Sequence, residues 1–95
     1  MMYPFMTLED NTEIVHSEIL EDGKSVKIYI EKPAHDGFHS AECYLPEYRW
    51  QNIEGFTAQE IEEYQSFIGS VAHVIIRLAN EGGFDNASNL VMIRN

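Results

Sequence analysis

One segment of this 95-residue chain limits its fold more than any other: a long amphipathic helix is predicted over residues 58–81. Thr57 and Glu60 have the spacing of a capping box, in which each side chain satisfies a free backbone N–H of the other residue. Gly82 and Gly83 supply the stop. Between these limits apolar residues alternate at spacings of three and four: Ile61, Tyr64, Ile68, Val71, Ile75 and Leu78. At a rise of ~1.5 Å per residue, the helix is about 36 Å long and can cross several strands of a sheet.

A second feature of the helix is the pair Gly69-Ser70 near its middle. Glycine inside a helix costs about 1 kcal/mol relative to alanine, so its presence needs a reason. The simplest reason is the close approach of another element, either the sheet of the same chain or the helix of a second copy. We therefore predict a close contact at Gly69.

The residues before the helix predict a β-hairpin over 13–32. Asp22-Gly23 is typical of a type I′ turn, which requires positive φ at both central residues. Closing the chain at this pair places Leu20 opposite Ser25. Strands are therefore predicted near 13–20 and 25–32.

This register also predicts which face of the hairpin is buried, because side chains alternate along a strand. Val15 then lies opposite Ile30, and Ser17 is the single polar residue on that face. Its apolar residues are Val15, Ile19, Val26, Ile28 and Ile30. The opposite face places Glu18 across from Lys27. We predict the first set in the core.

Two further strands are predicted before the helix. Pro33 ends the second strand because it has no backbone N–H, and residues 34–37 form a loop. A third strand follows over 38–45, with Ala41, Cys43 and Leu45 as one candidate core face and Phe38 and Tyr44 as the other. Residues 48–54, around Trp50, are predicted as a fourth short strand. Residues 84–95 are predicted as a C-terminal tail, in which 90–93 are either a short edge strand or docked on the core, and residues 1–12 receive no defined structure.

These elements predict an α+β fold in two layers: a three- to four-stranded antiparallel meander with one long C-terminal helix packed on one face. The chain is predicted to form a single domain over 1–95. One helix covers one face of the sheet, which leaves the other without cover. In the predicted register four apolar or aromatic residues of the hairpin lie on that uncovered face, with Tyr44 beside them: Ile14, His16, Leu20 and Tyr29.

An aromatic cluster follows the third strand and is the second candidate interface. It contains Tyr44, Tyr48, Arg49 and Trp50. Tyr, Trp and Arg are enriched at the centres of protein interfaces. The alternative is structural, in which Trp50 and one tyrosine seal the rim of the core. The sequence leaves both interpretations open.

No catalytic or metal-binding pattern is predicted. His35, His39 and Cys43 are ligand types, but residues four apart on a strand lie about 13 Å apart, too far to share one tetrahedral ion. Cys43 follows Glu42, which opposes the thiolate that a nucleophile needs. There is no glycine-rich phosphate loop, because Gly82-Gly83 follows a helix. We therefore expect no cofactor, no metal and no enzymatic activity.

The charge and cysteine counts restrict the partners. Sixteen acidic residues against six basic ones give a formal net charge of −10, which opposes binding to nucleic acid or to an anionic membrane surface. A lone cysteine cannot form an internal disulfide, and no leader or membrane-spanning stretch is present. These features favour a cytoplasmic protein.

Two functions are therefore predicted. The first is a non-enzymatic protein-interaction module, homodimeric through the uncovered sheet face or an edge strand. The second is an acidic inhibitor of a basic partner, because a charge of −10 steers association with a positive surface. The strand order, the cap Gly55-Phe56-Thr57 and the long helix resemble small antitoxin-type domains over about residues 25–65. That resemblance implies the second function.

Overall fold

The computed structural model describes residues 2–82 as five strands followed by one helix. The elements are β1 (Met2–Thr7), β2 (Glu13–Ser17), β3 (Val26–Ala34), β4 (Gly37–Leu45), β5 (Arg49–Glu54) and α1 (Ala58–Glu81). Each strand pairs antiparallel with the next, so the sheet order is β1-β2-β3-β4-β5. The predicted α+β class, with an antiparallel meander and one C-terminal helix, is confirmed, and the sheet has five strands. The predicted tail over 84–95 lies outside the described residues.

The core lies between α1 and one face of the sheet, which we call the covered face. Alternate residues of β3 and β4 are at most 1% exposed there: Val26, Ile28, Ile30, Ala41, Cys43 and Leu45. From the helix side they meet Ile68 and Ile75, which are 0% exposed. Of the two candidate core faces of the third strand, the buried one is therefore that of Ala41, Cys43 and Leu45.

The helix begins and ends at the predicted residues because both termini are capped. The hydroxyl of Thr57 accepts from the N–H of Glu60 at 3.1 Å, and the Glu60 carboxylate accepts from the N–H of Thr57 at 2.9 Å. This second bond, from the backbone of Thr57, lowers the pKa of Glu60. At the other end Gly82 has φ of 83°, and its N–H bonds to the carbonyl of Leu78.

The strand β1 was not predicted. Its sequence, MYPFMT, carries no charge and does not alternate between apolar and polar residues. A β-bulge interrupts its pairing with β2 between Pro4 and Met6. Phe5, in that bulge, packs against the core. Pairing with a neighbouring strand rather than a local pattern therefore fixes this strand.

The predicted register of the hairpin is wrong by one residue. Val15 lies opposite Tyr29 and not opposite Ile30. The turn closes where predicted, since the N–H of Leu20 bonds to the carbonyl of Ser25 at 2.8 Å. Ile28 is the partner of His16, and Ser25 is the partner of Leu20. Three residues separate His16 from Leu20 on the first side of the hairpin, whereas only two separate Ser25 from Ile28 on the second side. One residue is therefore extra on the first side, as in a β-bulge.

The hydroxyl of Ser17 accommodates this extra residue. It accepts from the N–H of Lys27 at 2.9 Å, in place of a backbone carbonyl, and donates to the carbonyl of Glu18 at 2.7 Å. β2 therefore ends at Ser17, and the predicted Glu18–Lys27 pair is replaced by Lys27–Glu42. Ser17 was the one polar residue on the predicted core face, and it marks the irregularity.

A shift of one residue moves every side chain of a strand to the other face. Ile14 and His16, predicted on the uncovered face, are 1% and 0% exposed in the core. Val15, predicted in the core, instead lies beside Tyr29 on the uncovered face. The placement of Ile14 and His16 on an interface surface is therefore wrong for the described fold.

His16 is an unusual core residue. Its Nδ1 lies 2.8 Å from the carbonyl oxygen of Ser17, so Nδ1 carries the proton. Its Nε2 is buried without a hydrogen-bond partner among residues 2–82. The ring lies beside Tyr3 of β1, with 5.7 Å between centroids. A buried acceptor without a donor costs stability.

Three smaller expectations are also corrected. Of the two central turn residues only Gly23 has positive φ, 78°, so the turn is not type I′; the Asp22 carboxylate instead accepts from the N–H groups of Lys24 and Ser25. Pro33 does not end β3. The pairing of β3 with β2 ends at Glu31, so at Pro33 β3 has only β4 as a neighbour, and the missing N–H of proline is tolerated there. Gly69 is exposed, and a Cβ there would meet only the Tyr48 hydroxyl at 3.7 Å, an ordinary contact.

Candidate interaction surface

The face of the sheet opposite α1 is the candidate site, and we call it the open face. Cross-strand pairing arranges its side chains in three rows across the strands. The acidic row contains Glu13, Glu31, Ser40 and Glu54; the middle row contains Val15, Tyr29, Glu42 and Gln51; the basic row contains Lys27, Tyr44 and Arg49. Rows are two residues apart along a strand, so the acidic and basic rows lie about 13 Å apart.

An ion pair joins the middle and basic rows. The ammonium of Lys27 lies 3.0 Å from the Glu42 carboxylate, whose other oxygen accepts from the side-chain amide of Asn52 at 2.8 Å. The Asn52 bond, followed by Lys27, lowers the pKa of Glu42, and the bond to Glu42 raises the pKa of Lys27. The Glu42 side chain is only 15% exposed although it lies on the face opposite α1. This part of the surface is therefore ordered by its own contacts.

Two tyrosines form the aromatic part of the open face. The guanidinium of Arg49 lies 4.5 Å from the centre of the Tyr44 ring, within cation–π range. The hydroxyl of Tyr29 donates to the Glu31 carboxylate at 3.0 Å. Burial, followed by this bond, raises the pKa of Tyr29. Both rings are half-buried, so they offer area to a partner with little loss of side-chain entropy.

The acidic row concentrates negative charge at one end of the open face. Glu13 and Glu31 lie directly opposite each other, an arrangement of like charges that destabilises a strand pair. Glu54 lies in the same row, across Ser40. Within residues 2–82 no basic side chain pairs with Glu13 or Glu54. The two ends of the face therefore carry opposite charge, with Arg49 and Lys27 at the other end.

The predicted interface residues separate into different places. Tyr29, Tyr44 and Arg49 lie together on the open face. Leu20 is half-buried in the β2–β3 loop, while Ile14 and His16 are in the core. The aromatic cluster is thus not continuous, and Tyr48 and Trp50 lie elsewhere.

Trp50 and Tyr48 belong to the helix side of the sheet. Trp50 lies opposite Cys43 on the covered face, and its indole N–H donates to the side chain of Gln65 at 2.8 Å. Tyr48, in the β4–β5 turn with φ of 58°, lines a groove of about 380 Å³ against α1. Ile61, Glu62, Gln65, Ser66 and Gly69 complete that groove. The interpretation of Trp50 as a seal on the rim of the core agrees with this placement.

The open-face residues that were not predicted as site residues include Glu42, Glu13 and Val15. The signal for Glu42 was present, because it shares the parity of Phe38 and Tyr44 along β4. Glu13 and Val15 were missed because of the register error. Phe38 does lie on this side of β4, opposite Pro33, and is 62% exposed.

The histidines and the cysteine do not form a reactive centre. Cys43 is 0% exposed, and burial raises the pKa of its thiol to about 11. His39 contacts Phe56 and Asp36, whereas His35 is exposed in the β3–β4 turn. Among residues 2–82 no group of three or more His, Cys, Asp or Glu side chains is placed to hold a metal ion.

The comparisons with known proteins leave the open face as the principal guide to function. No protein-family model, curated protein or solved structure matches the chain. In the described part of the chain no helix is long and apolar enough to cross a membrane.

Proposed function

We propose that the chain is a non-enzymatic protein-interaction module that self-associates through the open face. The observation that carries this proposal is the ordered set of Tyr29, Tyr44 and Arg49, with both tyrosine rings half-buried, on a sheet face that no described element covers. These residue types supply most of the binding energy at protein interfaces. The ion pair of Lys27 with Glu42 holds the surrounding side chains in place and lowers the entropy cost of association.

Solution mass tests this proposal. We expect a dimer by size-exclusion chromatography with light scattering at both low and high salt, because added salt screens the repulsion between two chains of charge −10. Tyr29→Glu places a charge at the centre of the face and should give monomer. The matched control is His73→Glu, exposed on α1 in the other layer, which should leave the mass unchanged. A dimer that survives Tyr29→Glu would show that the interface lies elsewhere.

A second function is favoured by the acidic row. Glu13, Glu31 and Glu54 present three carboxylates across four strands, and the whole chain has charge −10. Such a surface suits a basic protein partner, as in an inhibitor of a cationic protein. A partner captured from source-cell lysate should then elute by about 0.5 M NaCl. Replacing the three acids with lysine should abolish capture; unchanged capture would exclude the acidic row as the binding surface.

A further inference from the structure

We propose that two copies of the chain pack open face to open face with their strands antiparallel, so that the acidic row of each copy lies on the basic row of the other. This inference rests on the proposed self-association and adds its geometry. It follows from the segregation of charge along the strands, since a surface with one acidic and one basic end complements its own reverse.

Two-fold symmetry allows two simple ways to stack such a face. If the axis runs along the strands, acidic row meets acidic row, and Glu13 lies over Glu54 of the second copy. If the axis runs along the middle row, the strands reverse and each acidic row meets a basic row. Bringing like charges together across a dry interface strongly disfavours association. Electrostatics therefore selects the antiparallel arrangement.

The antiparallel arrangement pairs residues of the same strand. Glu54 of β5 lies over Arg49 of the second copy, and Glu31 of β3 lies over Lys27 of the second copy, each contact occurring twice. Arg49 is suited to this contact because within residues 2–82 it stacks on Tyr44 and has no carboxylate partner. Stacked sheets lie about 10 Å apart, a gap that long Arg and Glu side chains can bridge.

The middle row lies on the symmetry axis, so each of its residues faces its own copy. Tyr29 then meets Tyr29, an aromatic pair that adds to the apolar contact. Glu42 also faces itself, but its charge is balanced by Lys27 at 3.0 Å and by the amide of Asn52 at 2.8 Å. The three rows cross four strands and are therefore only about 20 Å wide, near the small end of stable interfaces. We therefore expect a micromolar dissociation constant for the dimer.

Charge exchange tests the arrangement. Arg49→Glu and Glu54→Arg each place like charges in both symmetry-related contacts, so each variant alone should raise the dissociation constant at least about tenfold by sedimentation equilibrium. An equimolar mixture of the two variants restores opposite charges at both contacts. We expect this mixture, and the double variant R49E/E54R, to associate within about threefold of the original chain.

Two substitutions on α1 serve as controls for the change in net charge. Arg77→Glu and Glu63→Arg change net charge by the same amounts from exposed positions on α1 and should leave association unchanged. Thermal unfolding establishes that each variant is folded. If the original chain stays monomeric up to about 1 mM, the proposed self-association fails. Two results would contradict only the antiparallel arrangement of a chain that does form a dimer. The first is that the single variants associate as tightly as the original chain; the second is that the mixture of weakened variants does not regain affinity.

Discussion

On the covered face Val26, Ile28 and Ile30 of β3 are 0% exposed, whereas Lys27, Tyr29 and Glu31 of the same strand are half-buried on the open face. The first set is stabilised by removing apolar surface from water under α1. The second set is ordered by the ion pair of Lys27 with Glu42 and by the hydrogen bond from Tyr29 to Glu31. One strand thus carries both part of the core and part of the proposed recognition surface.

The difference shows where function can be placed in so small a fold. A residue on the covered face is fixed by packing, so its substitution changes stability before anything else. A residue on the open face contributes little to the core and can be chosen for a partner. His16 is the exception, because it is a polar residue on the covered face, and its Nε2 has no hydrogen-bond partner in the described part of the chain.

The largest expected effect comes from substituting neighbours on opposite faces. Ile14→Ala leaves a cavity in the core and should reduce the free energy of unfolding by about 2–5 kcal/mol in urea titrations. Val15→Ala, on the open face, should cost less than about 1 kcal/mol. The reverse order would contradict the observed register and restore the register predicted from the sequence.

His16→Leu should remove the exception on the covered face. Leucine fills a similar volume and leaves no buried nitrogen without a donor, so the free energy of unfolding should rise by about 1 kcal/mol. His16→Asn, which keeps a polar side chain there, should instead destabilise the chain. Chemical unfolding of the three proteins measures both effects, and a large loss with leucine would show that the Nδ1 bond to Ser17 outweighs the unpaired nitrogen.

Acid should weaken the open face through Glu42. The pKa of Glu42 is lowered from its ordinary 4.5 by Asn52 and Lys27, so its contribution is present above that pH and is lost as pH falls through the lowered value. Asp22 lies in the β2–β3 turn, and its hydrogen bonds with Ser25 and Lys24 lower its pKa to about 2. Its protonation therefore extends the loss of stability to lower pH.

Glu42→Gln is the variant that isolates this effect. Its free energy of unfolding should be lower by about 1 kcal/mol at pH 7, and should decline less steeply between about pH 5 and 2, than that of the original chain. Glu63→Gln, at an exposed position on α1, is the matched control. All unfolding curves are compared at one low protein concentration, because self-association also stabilises the fold. An unchanged acid profile would contradict the role of Glu42.

The smallest effect is expected at an exposed glycine of the covering helix. Gly69→Ala should stabilise the chain by about 0.5–1 kcal/mol in thermal or urea unfolding, since a Cβ meets no close neighbour there. Gly55→Ala is the opposing control: φ is +87° and the Cβ would collide with the His39 ring. Stabilisation at Gly55, or a loss at Gly69, would contradict these placements.

Much of the fold could be predicted because the local signals agreed with one another. Thr57 and Glu60 fix the start of α1, and the alternation along β3 places Val26, Ile28 and Ile30 on the covered face. The class and order of the predicted elements followed from these patterns.

The remainder depends on contacts that local patterns do not contain. β1 carries no alternation and is fixed by β2, while the hairpin register is set by the hydroxyl of Ser17 at a bulge. That single residue decides the faces of Ile14, Val15 and His16. The structure places the predicted residues Tyr29, Tyr44 and Arg49 together on the open face, whereas the predicted exposure of Ile14 and His16 is wrong.

Chemical crosslinking at Gln51 tests the proposed use of the open face most directly. Gln51 lies in the middle row, so in the antiparallel dimer it faces Gln51 of the second copy. The buried Cys43, with a thiol pKa of about 11, should not react at neutral pH. Gln51→Cys treated with a short bis-maleimide should therefore give a crosslinked dimer on a denaturing gel. The control Ser66→Cys, exposed on α1, should give monomer. Monomer from both variants, at concentrations where the solution mass is that of a dimer, would contradict face-to-face packing through the middle row.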